Sequence, residues 1–334
     1  MQSILVRSKN IAATDVYYNT ICTALQKCSD VIFDGFEGEA LPENKNALIV
    51  CGSCTEMVRL WFKGYRKIVT WYQGILPEES YLRHHSKARK VILGCIERFA
   101  LKHSQLHIFV SEAMREFYES KYRLKVQDYY IMPCFNASFE AENVAKKDFS
   151  GRVFTYAGTL SKWQCIEQTL DLYARIEKAA EYTTKLLLLT PEKEKAAEMV
   201  FHHGIMNAEI RYVHYSELTQ VLREVTYGFA LREDNPINRV ATPTKLANYV
   251  ANGVIPIYSR CVQDFFTKSR GNEYQVVIDD VNNISDESIS EIVSWMQKPI
   301  DRDKACGEFG SFFAEYYNPV WHVEQLANRM RKVQ

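Results

Sequence analysis

The sequence predicts an α/β protein built from two successive Rossmann-like domains, each a parallel sheet covered by helices, facing each other across a cleft. Three observations carry this expectation. Short apolar runs alternate with helical stretches along the whole chain, the pattern of a parallel sheet with helices on both faces. The alternation lapses once, near 134–150, in a polar stretch without periodicity, and then restarts. The length of 334 residues suits two domains, each of roughly 150–170 residues.

In the first half, 3–7, 30–36, 47–52, 67–72, 107–111 and 129–133 are continuous apolar runs, as expected for strands buried on both faces. Helical patterns lie between them near 14–28, 55–64, 79–104 and 112–122. The polar stretch marks the junction, so an N-terminal domain is expected over 1–140 and a C-terminal domain over 151–318. In the second half, strands are read at 153–158, 185–190, 209–213, 227–232, 254–259 and 274–279. Helices are read at 163–182, 192–203, 216–225, 243–252, 262–269, 285–297 and 301–316. The last stretch, 319–334, follows Asn318-Pro319 and is amphipathic, with Trp321, Val323, Leu326 and Met330 roughly on one face. It is expected to cross back to the N-terminal domain. In such sheets ligands bind beyond the carboxyl ends of the strands.

Lys plus Arg and Asp plus Glu both number 41, a balance that argues against a dedicated nucleic-acid binder. Apolar residues at 47% and charged residues at 25% are those of a globular protein. The chain contains no uninterrupted apolar stretch of about 18 residues. Its first residues, MQSILVRSKN, lack the longer apolar region and the cleavage site of a secretory signal. The expected location is therefore the cytosol. Most of the nine scattered cysteines are read as small buried hydrophobes of a reducing compartment. Cys51-Gly-Ser-Cys54 has redox or zinc spacing, but no second ligand pair accompanies it, and a tight turn after a strand is the expectation. His84-His85 and His202-His203 are neighbours in helical stretches, where adjacent side chains diverge by about 100°. They are read as solvated. No metal and no cofactor are expected.

Two segments carry chemistry. In TYAGTLSKWQ, 155–164, a strand ends in a glycine turn before a helix. Gly158 lets backbone approach a ligand, while Thr159, Ser161, Lys162 and the free N–H groups of the helix start suit an anion. In LREDNPINRVATPTKLANYVANGVIPIYS, 231–259, Arg232 ends a strand and a polar loop with Asn235, Pro236 and Asn238 follows. Thr242 is then expected as a helix N-cap with Pro243 at the first helical position. Lys245 in the first turn is unfavourable beside the positive helix end unless an anion occupies that end. Gly253 stops the helix.

The run from Pro243 through Lys245, Asn248, Tyr249, Ala251, Gly253 and Pro256 resembles the donor-site signature of glycosyltransferase family 4 and its GT-B relatives, Pro-x-Lys-x-x-Glu-Tyr-x-Ala-x-Gly-x-Pro, with one variable residue added before the last proline. The Gly158-Thr159 turn is similar to that family's phosphate loop. WYQGILPEES at 71–80 and FVSEAM at 109–114 resemble parts of its acceptor domain. The resemblance implies a GT-B hexosyl- or related glycosyltransferase of cell-surface polysaccharide biosynthesis, such as lipopolysaccharide or capsule. Transfer from a nucleotide sugar to a glycan or lipid-linked acceptor is implied to be retaining and metal-independent. Lys245 and Arg232 would neutralise the leaving diphosphate, and Gly158 and Thr159 would hydrogen-bond it. The base would lie near Thr190 and the strand end at Val213 and His214. Asn248 stands where the family has a ribose-binding Glu, and Val240 where it has a sugar-contacting Glu. Sugar contacts then fall to Asn235, Asn238 or the backbone of Val240 and Ala241. The glycine-rich first loop of many members is replaced by RSKNIAATDVYY. Asp15, Glu78 and Glu79 are the acidic candidates on the acceptor side, with Tyr72 and Gln73 beside them. A GT-B epimerase and a catalytically inactive sugar-nucleotide binder are the alternative readings.

One electrostatic feature remains. Between 59 and 102 there are ten Lys or Arg against three Glu. This is either a solvated helix face or an attachment to an anionic membrane surface on the inner side of the cell membrane.

Overall fold

The structure is a computed structural model that describes residues 2–8 and 14–333; residues 9–13, where the replaced first loop falls, lie outside it. The described residues form two compact units. One gathers the chain up to Asn136, Arg239–Thr242 and the residues from Tyr317 onward; the other holds Ala137–Asn238 and Pro243–Tyr316.

The first unit runs β1 (Gln2–Arg7), α1 (Asp15–Gln26), β2 (Asp30–Phe36), β3 (Leu48–Cys51), α2 (Cys54–Phe62), β4 (Ile68–Tyr72), α3 (Leu76–His84), α4 (Lys87–His103), β5 (Leu106–Phe109), α5 (Glu112–Tyr122) and β6 (Tyr129–Ile131). Its sheet is six-stranded and parallel, in the order β2-β1-β3-β4-β5-β6. The central strands β3, β4 and β5 are buried at every position, which is why they read as apolar runs broken only by Thr70 and His107. The single helix expected over 79–104 is two. His85 adopts a left-handed conformation (φ 50°) that closes α3. Ser86 then caps α4 by accepting a hydrogen bond from the Arg89 N–H at 3.3 Å.

The second unit runs α6 (Ala141–Ala145), β7 (Val153–Ala157), α7 (Ile166–Ala179), β8 (Lys185–Leu189), α8 (Lys193–His202), β9 (Ala208–Arg211), α9 (Leu218–Leu222), β10 (Tyr227–Ala230), α10 (Pro236–Val240), α11 (Thr244–Ala251), β11 (Ile255–Ser259), α12 (Gln263–Lys268), β12 (Val276–Ile278), α13 (Asp286–Gln297) and α14 (Arg302–Tyr316). The end of α10 falls in the first unit. The second sheet is also six-stranded and parallel, in the order β12-β11-β10-β7-β8-β9. Three local expectations are corrected. The polar junction contains the short α6, and the loop expected at 235–238 contains the short α10. Helix α11 starts at Thr244 with Pro243 as its N-cap, so Thr242 does not cap it. The Thr242 hydroxyl instead accepts from the Cys134 N–H at 3.1 Å.

The last helix, α15 (Pro319–Lys332), belongs to the first unit and packs along α1. Lys27 pairs with Glu324 at 2.5 Å, and Arg331 donates to the Lys27 carbonyl at 2.9 Å. His322, buried, shares a 2.6 Å hydrogen bond with the Tyr130 hydroxyl and stacks on Phe135.

Gly253 ends α11 at φ +62°, and a Cβ there would lie 2.7 Å from Val144 Cγ1 of α6. Left-handed backbone and this close approach both exclude a side chain. Gly253→Ala is expected to destabilise the fold by about 1–3 kcal/mol. Urea unfolding measures this as a lowered midpoint, and an unchanged midpoint refutes it.

Candidate active site

In the second sheet the chain steps from β7 outward through β8 to β9, then returns to place β10, β11 and β12 on the other flank. In open parallel sheets ligands bind beyond the carboxyl ends of the strands at such a reversal, and β7 and β10 are paired neighbours there. Gly158 follows β7 and Arg232 follows β10, so the order of the sheet brings the two segments read from sequence to one place.

Lys245, in the first turn of α11, reaches the same place. Its Nζ donates to Gln164 Oε1 at 2.9 Å and lies 3.9 Å from the centre of the Tyr156 ring. Gly158, at φ +146°, holds a backbone conformation that side chains rarely adopt and lies close by, a Cβ there being 3.4 Å from Lys245 Nζ. Arg232 is 7% exposed. Its guanidinium donates to the Leu231 carbonyl at 2.7 Å, and its backbone N–H donates to Ser259 Oγ at 2.7 Å. Among the described residues neither cation has a carboxylate partner. Burial lowers the pKa of Arg232. Burial, and then the Arg232 charge, hold Lys245 well below the usual lysine range. Two desolvated like charges without a counter-ion are costly to maintain, and an anion is what this arrangement fits.

The turn beside them is pinned. Tyr156 donates its hydroxyl to the Thr159 carbonyl at 2.5 Å, and the Thr159 and Ser161 hydroxyls meet at 3.0 Å. The Leu160 N–H is held by Glu192 at 2.7 Å. The Gly158 N–H donates to the Leu189 carbonyl at 2.9 Å, so it is not free for a phosphate; this glycine contributes the positive φ of the turn. Lys162 lies in the 3-10 turn Lys162–Gln164, and its side chain is outside the described structure.

The other donor-side candidates are scattered in role. Asn248 is 8% exposed on α11, and its carboxamide makes no hydrogen bond among the described residues. Asn238 donates to the Glu233 carbonyl and braces α10. Thr190 is buried, its hydroxyl accepting from the Glu192 N–H. Val213 is half-buried, and His214 is exposed with Nδ1 2.9 Å from Ser216 Oγ. Val240, Ala241 and Thr242 fall in the first unit, where the Val240 carbonyl accepts from Ser111 Oγ at 2.6 Å.

In the first unit, Gln73 is exposed just past β4 and donates to the Gly52 carbonyl at 3.1 Å. Glu79 lies near it in sequence, 4.0 Å from Arg83, with its carboxyl pKa raised by burial. The remaining three acceptor-side candidates are placed differently. Tyr72 is a core residue packed on Phe109 and Tyr118. Glu78 belongs to an ion cluster with Lys121 at 3.0 Å and Lys90 at 3.5 Å, which Glu97 joins through Lys121. Asp15 is exposed at the start of α1. Cys51 ends β3, Ser53 caps α2, and Cys54 starts that helix; both thiols are free and buried, and burial pushes both up. The turn reading fits this geometry. Of the histidine pairs, His203 contacts Glu167 at 2.9 Å.

Gln164, Tyr156 and Ser259 were not legible as site residues. Gln164 meets Lys245 across 81 positions, a contact no local pattern encodes. The depressed Lys245 gives an expected result. A bound diphosphate raises that pKa again, so binding takes up part of a proton between the depressed and the restored value. Affinity should then fall as pH rises from the depressed value toward the restored one. Calorimetry in two buffers of different ionisation enthalpy measures this, and a heat independent of buffer refutes it.

Two Rossmann-like units, each with a six-stranded parallel sheet, are the GT-B fold, and this chain has that fold. No family model matches the chain, and no curated protein matches its sequence. Solved structures do match. HepE of Anabaena, in complex with UDP and glucose, superposes with a TM-score of 0.68 at 11% identity, over 99% of this chain and 100% of that one. WaaB, a lipopolysaccharide outer core galactosyltransferase, gives 0.66 at 13% identity over 100% of both chains. A mutant of S. aureus TarM, in complex with UDP, fondaparinux and alpha-GlcNAc-glycerol, gives 0.60 at 10% identity over 87% of this chain, which spans 56% of TarM.

Proposed function

We propose that the chain is a GT-B glycosyltransferase of the family 4 kind. In this reading it moves a sugar from a nucleoside diphosphate donor to a glycan or lipid-linked acceptor in cell-surface polysaccharide biosynthesis. The observation that carries the reading is the pair Arg232, buried, and Lys245, half-buried, two cations that among the described residues have no carboxylate partner, at the reversal of a parallel sheet. The complexes of HepE and TarM with UDP, and the galactosyltransferase WaaB, support it.

The bond from the sugar's anomeric carbon to the β-phosphate oxygen breaks, and negative charge builds on that phosphate. Arg232 and Lys245 meet the charge as it develops, in a site where water is scarce. These two side chains fill the neutralising role without calling on a metal. The acceptor hydroxyl oxygen forms the new bond on the same face of the sugar, and its proton passes to the departing phosphate oxygen. The free carboxamide of Asn248 is suited to the ribose hydroxyls. Gln73 and Glu79 are the groups suited to an acceptor hydroxyl, and the protein works on the cytosolic face of the membrane.

Incubation with a panel of nucleotide sugars and lipid-extract acceptors tests this. Release of nucleotide from one donor, with transfer unaffected by EDTA, is the expected result. Loss of transfer in EDTA removes the metal-independent mechanism. The absence of carboxylates at Val240 and Asn248 favours one second reading, an inactive sugar-nucleotide binder. Nucleotide binding without any release would establish that reading. A changed sugar still joined to its nucleotide marks an epimerase.

A further inference from the structure

Trp163 projects from the pinned loop between β7 and α7. Its neighbours are fixed: Leu160 by Glu192 and Lys195, Ser161 by Thr159 and by the Gln164 N–H, and Gln164 by Lys245. Trp163 itself is 61% exposed and, among the described residues, makes no hydrogen bond and no ring contact. An indole has a large apolar area to gain by being covered. Here it stands uncovered on a loop held by these hydrogen bonds, next in sequence to the residue that holds the phosphate-side lysine.

A diphosphate at Arg232 and Lys245 brings a pyranose ring within one bond of its β-phosphate, and in transfer a second pyranose approaches the same atom. The C–H face of a pyranose is apolar and flat enough to lie on an indole. We propose that Trp163 is the platform on which a pyranose ring of the substrate stacks beside the diphosphate. The proposal rests on the nucleotide-sugar reading above. It assigns a specificity role to a residue outside both motifs' charged and glycine positions.

The test compares wild type with Trp163→Ala and Trp163→Phe. Calorimetry with UDP, UDP-glucose, UDP-galactose and UDP-N-acetylglucosamine reads the donor arm. Transfer from the best-bound donor to octyl glycosides of the same sugars reads the acceptor arm. If the ring belongs to the donor, Trp163→Ala weakens the best-bound UDP-sugar about 5–10-fold. UDP affinity stays within about twofold, and Trp163→Phe recovers most of the loss. If it belongs to the acceptor, UDP-sugar affinity is unchanged and the KM for the octyl glycoside rises about tenfold. Equal losses for UDP and UDP-sugar put the indole on the nucleobase and overturn the proposal. No change in either arm overturns it as well. A wild-type chain that binds none of the nucleotides overturns the nucleotide-sugar reading and this proposal together, a different outcome from any that the variants give. Trp163 is exposed, so thermal unfolding of both variants should match wild type.

Discussion

Replacing Lys245 or Arg232 by alanine is expected to lower turnover about 10²–10³-fold at saturating donor, the usual cost of removing one group aimed at developing oxyanion charge. The KM for donor should change less, because the charge on the leaving phosphate grows only as the glycosidic bond breaks. Stability should move the other way. Each substitution removes a desolvated cation that has no carboxylate partner among the described residues, so the unliganded variants should melt at or above the wild-type temperature. Steady-state kinetics and thermal unfolding of the same preparations give both readouts. Near wild-type turnover in both variants removes the assigned roles. Lowered stability with lowered turnover makes the two side chains part of the packing and not of the chemistry.

The second large expected effect concerns the basic stretch over 59–102. Val91 (66% exposed) and Ile92 (61%) stand out on α4 beside exposed Lys87 and Arg89, with Leu82 exposed on α3 and Phe62 at the end of α2. Apolar side chains interleaved with Lys and Arg match a helix that lies in the headgroup region of an anionic bilayer. Each cation near such a surface contributes about 1 kcal/mol. The protein is expected to pellet with anionic vesicles at low salt and to be released as salt rises, since the attraction decays within about 8–10 Å. Arg83→Glu, Lys87→Glu and Arg89→Glu together should abolish pelleting and leave nucleotide affinity unchanged. Lys90 is left out of the set because it is tied to Glu78 and lies over the Tyr81 ring. Wild type that stays in the supernatant makes this stretch a solvated helix face.

Each sheet was legible from sequence because its central strands are buried on both faces and so read as largely apolar runs. The ends of helices were less legible. His85 and Ser86 stop one helix and start another through a left-handed residue and a cap, and neither interrupts the apolar pattern of 79–104. Thr242-Pro243 has the composition of a helix start, yet the Thr242 hydroxyl is engaged by the Cys134 N–H from 108 positions away, and the helix begins later. The candidate site divides along the same line. Gly158, Arg232 and Lys245 were found because a turn glycine, a strand end and a first-turn lysine are local signals. Gln164 was not, since only folding brings it to Lys245. Glu78 was a candidate because it is acidic and near the right strand, while its lysine partners come from other helices.

The packing of α15 on α1 also sets an order of assembly. Tyr17, Ile21 and Leu25 of α1 and Val323, Leu326 and Met330 of α15 are buried in one unit. The unit that leaves the ribosome first is therefore the one completed last. At about 5–20 residues per second, the second unit takes roughly 10–40 s to emerge. For that interval α1 waits without its cover, and its apolar side is open to chaperones or to a neighbouring nascent chain. Ending synthesis before Pro319 fixes the first unit in this unfinished state, so α15 serves as the clasp that closes that unit.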